Sequence, residues 1–154
     1  MGATRYWSDV SAGETFLTSE LDIREEDILE FAREFDPQPY HLDRAAAEQS
    51  IFGGLCASGW QTTALMMRLL TDALRAEKLA VTGLSGVPAL HWRQPVFDGD
   101  SLHADIAVTD RNSVSRLAGS GALTLDVSVK NQHGKPVMEL QAHILVAHRE
   151  ASTA

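Results

Sequence analysis

Residues 122–130, ALTLDVSVK, alternate apolar and polar side chains with a period of two. Successive side chains of a β-strand point to opposite faces, so a strand here would have one apolar and one polar face. The same alternation occurs in residues 102–109 and in residues 138–146, and the turn sequence NQHG precedes the latter at 131–134. The second half of the chain is therefore predicted to form long antiparallel strands joined by hairpins.

Before residue 85 the apolar residues follow helical spacing instead. A helix is predicted from the acidic residues at 25–27 to Phe35 or Asp36, because acidic side chains suit a helix start and the prolines that follow disfavour continuation. Asp43 is the expected N-cap of a short helix over 44–48. The GG sequence at 53–54 then breaks the chain before the next helix.

The helix predicted over residues 59–76 is apolar on nearly every side at its start, from Trp60 to Met67, and amphipathic further on. We expect it to be buried at its start and half-exposed at its end. Strands with one apolar face need cover, and no other predicted element is apolar enough to give it. The sequence therefore predicts an α+β fold, in which an antiparallel sheet wraps around one long central helix.

Size and charge limit the function. A chain of 154 residues is expected to form a single domain over 1–154, with its core at about 14–148, and the net charge of −8 disfavours nucleic acid and anionic membranes as partners. One cysteine, Cys56, permits neither an intramolecular disulfide nor a multi-cysteine metal site, and it is interpreted as a buried inert thiol. The start of the chain lacks a signal-peptide pattern, and no apolar run is long enough to span a bilayer. A soluble cytoplasmic protein without bound metal is expected.

The sharpest candidate for chemistry is DPQPYH at 36–41, which holds a carboxylate and an imidazole five residues apart on a loop stiffened by two prolines. An imidazole exchanges protons near neutral pH, and a carboxylate can orient it or share a water molecule with it. The spacing alone also fits a helix-end aspartate, Asp36, and a hydrogen-bonded loop histidine, His41.

A second candidate is GGLCASG at 53–59, where small residues lead into the long helix. Free N–H groups at a helix start can stabilise negative charge on a carbonyl oxygen, and glycine permits close approach of a substrate. A tight loop without a binding role is the alternative.

These motifs occur together with several others, namely FA at 31–32, DPQPYHLD at 36–43, FGG at 52–54, ASG at 57–59 and WRQPVFDGD at 92–100. The combination resembles the MaoC-like dehydratase family and is similar to the (R)-specific enoyl-CoA hydratases, over about residues 20 to 147. The resemblance implies a hot-dog fold and a homodimer or dimer of dimers, with the pocket at the subunit interface.

By the same resemblance, Asp36 and His41 are the catalytic pair and hold a water molecule. Water would add across the 2,3 double bond of a trans-2-enoyl thioester, with the Gly59 N–H as oxyanion hole. The acyl-CoA is the substrate, and no metal or redox cofactor is implied. The residues expected to contact substrate are Gln38, Pro39, Gly54, Ser58 and Trp60.

Two positions depart from the family pattern. Gln38 replaces an asparagine, and Ser58 replaces the histidine that many members carry before the glycine. These departures motivate one alternative, a non-catalytic acyl-CoA-binding hot-dog module. A hot-dog acyl-CoA thioesterase is a further alternative, because it also uses a carboxylate and a helix N-terminus. Elsewhere, Trp92 is expected in the core and Arg93 in solvent. Five apolar side chains of the long helix either line an acyl tunnel or pack in the core, namely Leu65, Met66, Met67, Leu69 and Leu70.

Overall fold

Three of the four α-helices lie where the sequence predicts them. The computed structural model describes residues 2–113 and 117–150. Its α-helices are α1 (Glu25–Phe35), α2 (Pro39–Leu42), α3 (Arg44–Glu48) and α4 (Gly59–Ala76). Asp43 caps α3 as expected, because its carboxylate accepts a hydrogen bond from the N–H of Ala45 at 3.0 Å.

One local prediction is wrong. The segment that carries His41 is a single helical turn, α2, and not an irregular loop. Pro39 is the first residue of this turn, where its missing N–H costs nothing and its fixed φ suits a helix. The two prolines therefore act differently: Pro37 stands in the extended link after α1, and Pro39 starts the next helical turn.

The strands form one antiparallel sheet. They are β1 (Thr15–Leu17), β2 (Leu21–Asp22), β3 (Val81–Trp92), β4 (Ser101–Asn112), β5 (Ser120–Lys130) and β6 (Pro136–Ala147). The order is β1-β4-β5-β6-β3, and β2 pairs with β4 as well. The alternation in β4, β5 and β6 correctly predicts three strands with one buried face. The strands β1 and β2 are too short to give a pattern, and β3 contains glycines, a proline and register shifts that interrupt it.

The sheet wraps around α4, as predicted. Met66, Leu70 and Leu74 of α4 lie in one apolar cluster with the inward side chains of the strands, among them Leu125 and Ile144. The end of α4 is half-exposed, as expected, because Leu74 is buried and Arg75 is exposed. The expectation of a buried start is wrong at Trp60, which lies on the surface. Within the described residues, no helix is both long and apolar enough to cross a membrane.

Candidate active site

Asp36 and His41 are brought together by two backbone hydrogen bonds between residues that are close in sequence. Asp36 is the C-cap of α1. Its carbonyl accepts a hydrogen bond from the N–H of Gln38 at 2.8 Å, and the carbonyl of Gln38 accepts one from the N–H of His41 at 2.9 Å. The turn places His41 Nε2 3.4 Å from Asp36 Oδ2. Gln38 thus joins the pair through its backbone.

The ring of His41 has a defined orientation. It is buried, with 5% of the residue exposed, and its Nδ1 lies 2.6 Å from the carbonyl oxygen of Cys56. A carbonyl oxygen only accepts hydrogen bonds, so Nδ1 carries the hydrogen and Nε2 presents a lone pair when the ring is neutral. Tyr40 packs edge-on against the ring, with 4.5 Å between centroids. The tautomer that this geometry selects has Nε2 available as a base.

The distance between Nε2 and Oδ2 has a chemical consequence. Two acceptors at 3.4 Å need a hydrogen between or beside them, which a shared proton or a water molecule supplies. The Asp36 side chain remains partly accessible, so a water molecule can reach it from the cavity. The pair is therefore arranged to take up and release protons from such a water.

Ser58 completes the set around Asp36. Its hydroxyl donates to Asp36 Oδ2 at 2.7 Å, and its oxygen accepts from the N–H of Trp60 at 3.3 Å as the N-cap of α4. The residue is fully buried, at 0% exposure. Its hydroxyl donates to Asp36 and not to His41, so this serine lacks the serine–histidine contact that activates a hydroxyl nucleophile.

The first turn of α4 forms one wall of the site. Gly59 is the first residue of α4, where N–H groups have no intrahelical acceptor and the helix dipole favours negative charge. The indole of Trp92 lies against Gly59, and its Nε1 donates to the carbonyl of Gly59 at 2.8 Å. Trp92 also packs edge-on against Trp60, with 5.0 Å between ring centroids.

These groups line a cavity of about 360 Å³. It contains five of the residues predicted for the site, namely Asp36, His41, Ser58, Gly59 and Trp60. The three other predicted substrate contacts, Gln38, Pro39 and Gly54, are not among its lining residues, and neither are residues 65–70. A larger cleft of about 590 Å³ lies against the strands, away from the Asp36–His41 pair.

Several residues that line the cavity were not predicted from the sequence, or were expected elsewhere. Trp92 was expected in the core, but it is 44% exposed and forms part of the wall. Arg93 is half-exposed as expected and forms an ion pair with Glu139 at 3.3 Å, yet it also lines the cavity. The WRQP motif at 92–95 was the available signal, because the whole motif contributes to the lining.

Cys56 contributes its backbone and not its thiol. Its carbonyl holds His41, while the side chain is buried, and burial raises the pKa of the thiol to about 11. A thiol with so high a pKa is almost entirely protonated at neutral pH and is a poor nucleophile. The prediction of an inert thiol is consistent with this. Within the described residues, no group of three or more His, Cys, Asp or Glu side chains is arranged to hold a metal ion.

Comparisons with known proteins agree with the fold and the motifs. The family described as "MaoC like domain" matches residues 9–131. The uncharacterized protein YdeM of Bacillus subtilis is 30% identical over 141 residues, which cover 90% of this chain and 96% of YdeM. The crystal structure of the MaoC-like dehydratase from Rhodospirillum rubrum is 35% identical, with a TM-score of 0.86 over 96% of this chain and 99% of that one.

A third likeness concerns the fold alone. The R-hydratase PhaJ1 from Pseudomonas aeruginosa, in its unliganded form, is 24% identical, with a TM-score of 0.70 over 97% of this chain and 92% of that one. The sheet around a central helix is thus the hot-dog fold that these structures share.

Proposed function

Because this chain belongs to the MaoC-like dehydratase family, we propose that it is a hydratase/dehydratase of acyl thioesters. The reaction adds water to a trans-2-enoyl thioester or removes it from the 3-hydroxyacyl thioester, with coenzyme A as the thiol. The observation that carries the proposal is the buried, tautomer-fixed His41 facing Asp36 in a cavity whose wall is a helix N-terminus. The name of the Rhodospirillum dehydratase supports the same class of reaction.

The proposed reaction transfers protons only and needs no redox cofactor. The Asp36–His41 pair takes one proton from water as its oxygen bonds to C3, and the C2–C3 double bond becomes a single bond. The thioester oxygen carries the resulting negative charge and accepts a hydrogen bond from the N–H of Gly59. The pair then returns one proton to C2 and is regenerated. Dehydration is the reverse sequence.

The first experiment mixes the protein with crotonyl-CoA and longer trans-2-enoyl-CoA substrates and follows the enoyl-thioester absorbance. We expect the absorbance to fall, with formation of one 3-hydroxyacyl enantiomer. A thiol reagent in a parallel assay measures release of CoA, and release faster than hydration would instead identify a thioesterase. Saturable binding of these thioesters without any turnover would identify a binding module.

We further propose that the protein is a homodimer formed at the free edge of β3. This strand pairs with β6 on one side, and the described residues leave its other side unpaired over 12 residues. It exposes the apolar side chains of Val81, Leu84 and Val87, and a long apolar edge strand invites pairing with another chain. Trp92 ends β3 and lines the cavity, so a second copy on this edge would stand next to the site.

Light scattering after size exclusion tests the dimer. We expect about twice the chain mass of 16.8 kDa at micromolar concentration, and Val87→Lys should shift the protein toward monomer by placing a charge in the interface. Leu17→Lys is the matched control, since Leu17 is an exposed strand residue on β1 at the opposite edge of the sheet. Wild type that stays monomeric, or equal dissociation in both variants, would contradict an interface at β3.

A further inference from the structure

Ser58 is the residue of the site whose role the sequence leaves undecided. Its hydroxyl hydrogen is directed to Asp36 Oδ2, and its oxygen accepts the N–H of Trp60. The hydroxyl hydrogen is given to Asp36 and the residue has no exposed surface, so Ser58 has no donor to offer a substrate. Its effect on chemistry must therefore pass through Asp36.

The neighbouring histidine explains why Asp36 needs this donor. Nδ1 of His41 gives its hydrogen to the carbonyl of Cys56, so the neutral ring has no hydrogen on Nε2, the atom that faces Oδ2. An ionised carboxylate next to such a ring needs hydrogen-bond donors from elsewhere. Ser58 supplies one at 2.7 Å, a short distance that suits a hydrogen bond to a charged acceptor.

The sharing of one carboxylate oxygen also fixes the orientation of Asp36. Ser58 Oγ and His41 Nε2 both lie next to Oδ2, and within residues 2–113 and 117–150 no hydrogen bond is made to Oδ1. The carboxylate is partly accessible from the cavity. Anchoring Oδ2 thereby leaves Oδ1 to water or substrate.

We infer that Ser58 is a positioning residue that holds Asp36 by a hydrogen bond to Oδ2 and so leaves the Nε2 lone pair of His41 free for the reacting water. This inference rests on the proposed hydratase function. It makes Ser58 a determinant of turnover and not of substrate affinity. The contact assigned to Ser58 here is with the Asp36 carboxylate, and the substrate contact expected from the sequence stays a prediction.

The test compares Ser58→Gly, Ser58→Ala and Ser58→Thr by kcat and KM in the enoyl-CoA assay. Glycine removes the donor but is nearly as good an N-cap as serine, whereas alanine removes both donor and cap. We expect kcat to fall about 10- to 100-fold in both the glycine and the alanine variants, with KM changed by less than about twofold. Threonine keeps the hydroxyl and should recover most of kcat.

Ser101→Ala is the matched control, because it removes a buried hydroxyl that has no hydrogen-bond partner within the described part of the chain. It should leave kcat unchanged. Unchanged kcat in a folded Ser58→Gly variant, or a loss that appears only in KM, would overturn the positioning role. A kcat loss in the alanine variant alone would assign the effect to the helix cap.

A crystal structure of Ser58→Gly beside that of the wild type tests the inference without turnover. The expected result is a rotated Asp36 carboxylate and a changed distance between Oδ2 and His41 Nε2. An Asp36 carboxylate in the wild-type orientation would overturn the positioning role. If the wild-type protein turns over no enoyl thioester, the proposed function is wrong. The comparison of the two crystal structures would still show whether Ser58 orients the Asp36 carboxylate.

Discussion

Hydration of trans-2-enoyl-CoA should fall by a factor of about 10²–10⁴ when Asp36 is replaced by Asn or His41 by Asn. The first change keeps the shape of the carboxylate but removes its charge and its ability to accept a proton. The second keeps an amide that can still donate to the carbonyl of Cys56, the partner of Nδ1, but removes the Nε2 that faces Asp36. Asp36→Asn preserves the volume of the site, and His41→Asn leaves a small gap but keeps a polar group opposite the Cys56 carbonyl, so both variants should fold.

The measurement is kcat/KM for crotonyl-CoA and one longer substrate, with circular dichroism to verify folding. The double variant should lose about as much as either single variant, because groups that act as a unit on one water molecule are not additive. Asp72→Asn serves as the control: it makes the same charge change on an exposed carboxylate of α4, which pairs with Arg68. A folded variant at Asp36 or His41 with more than half of wild-type activity would exclude the proposed pair.

The alternatives give distinct patterns with the same two variants. A thioesterase would show CoA release that depends on these residues, with no hydration in the wild type. A binding module would bind acyl-CoA equally well in the wild type and in both variants, and none of the three would turn it over. The same proteins therefore separate the three functions that the sequence left open.

The sequence predicts the parts of the fold that depend on local patterns. One face of β5 is buried in the core, so its residues alternate from Leu123 onward, and this alternation is visible without a structure. The bounds of α1 and α3 are equally local, because Pro37 follows the first and Asp43 caps the second. By contrast, β3 lies at an edge with most of its residues exposed, so no burial pattern marks it.

The same distinction between local and distant contacts applies to the site. Asp36 and His41 are five residues apart and joined through Gln38, so their proximity is encoded locally. The groups that orient them come from distant parts of the chain. The Cys56 carbonyl is 15 residues from His41, and the Ser58 hydroxyl is 22 residues from Asp36. A backbone carbonyl carries no side-chain signal at all, so only the packing of α2 against the segment before α4 shows which atom holds the histidine.

Replacement of Gly59 by Ala should lower the free energy of unfolding by about 1–3 kcal/mol, the usual cost of placing an extra methyl group in a filled space. A Cβ at this position would lie 2.7 Å from Trp92 Cε2, closer than packed carbon atoms approach. The indole is held there by its hydrogen bond to the Gly59 carbonyl and a second, at 3.2 Å, to the hydroxyl of Thr63. To make room the ring must turn outward, and both hydrogen bonds are then lost.

Gly83→Ala is the matched control, because the added Cβ would lie 3.7 Å from the nearest atom of Leu145, an ordinary contact. Urea unfolding of both variants gives the stability difference, and tryptophan fluorescence reports the exposure of Trp92. We expect Gly59→Ala alone to lose stability and to shift the emission to longer wavelength. Its hydration rate should fall as well, although the substituted residue keeps the N–H proposed for the oxyanion, because the wall formed by Trp92 is displaced. Equal stability and equal emission in the two variants would show that Trp92 does not require glycine beneath it.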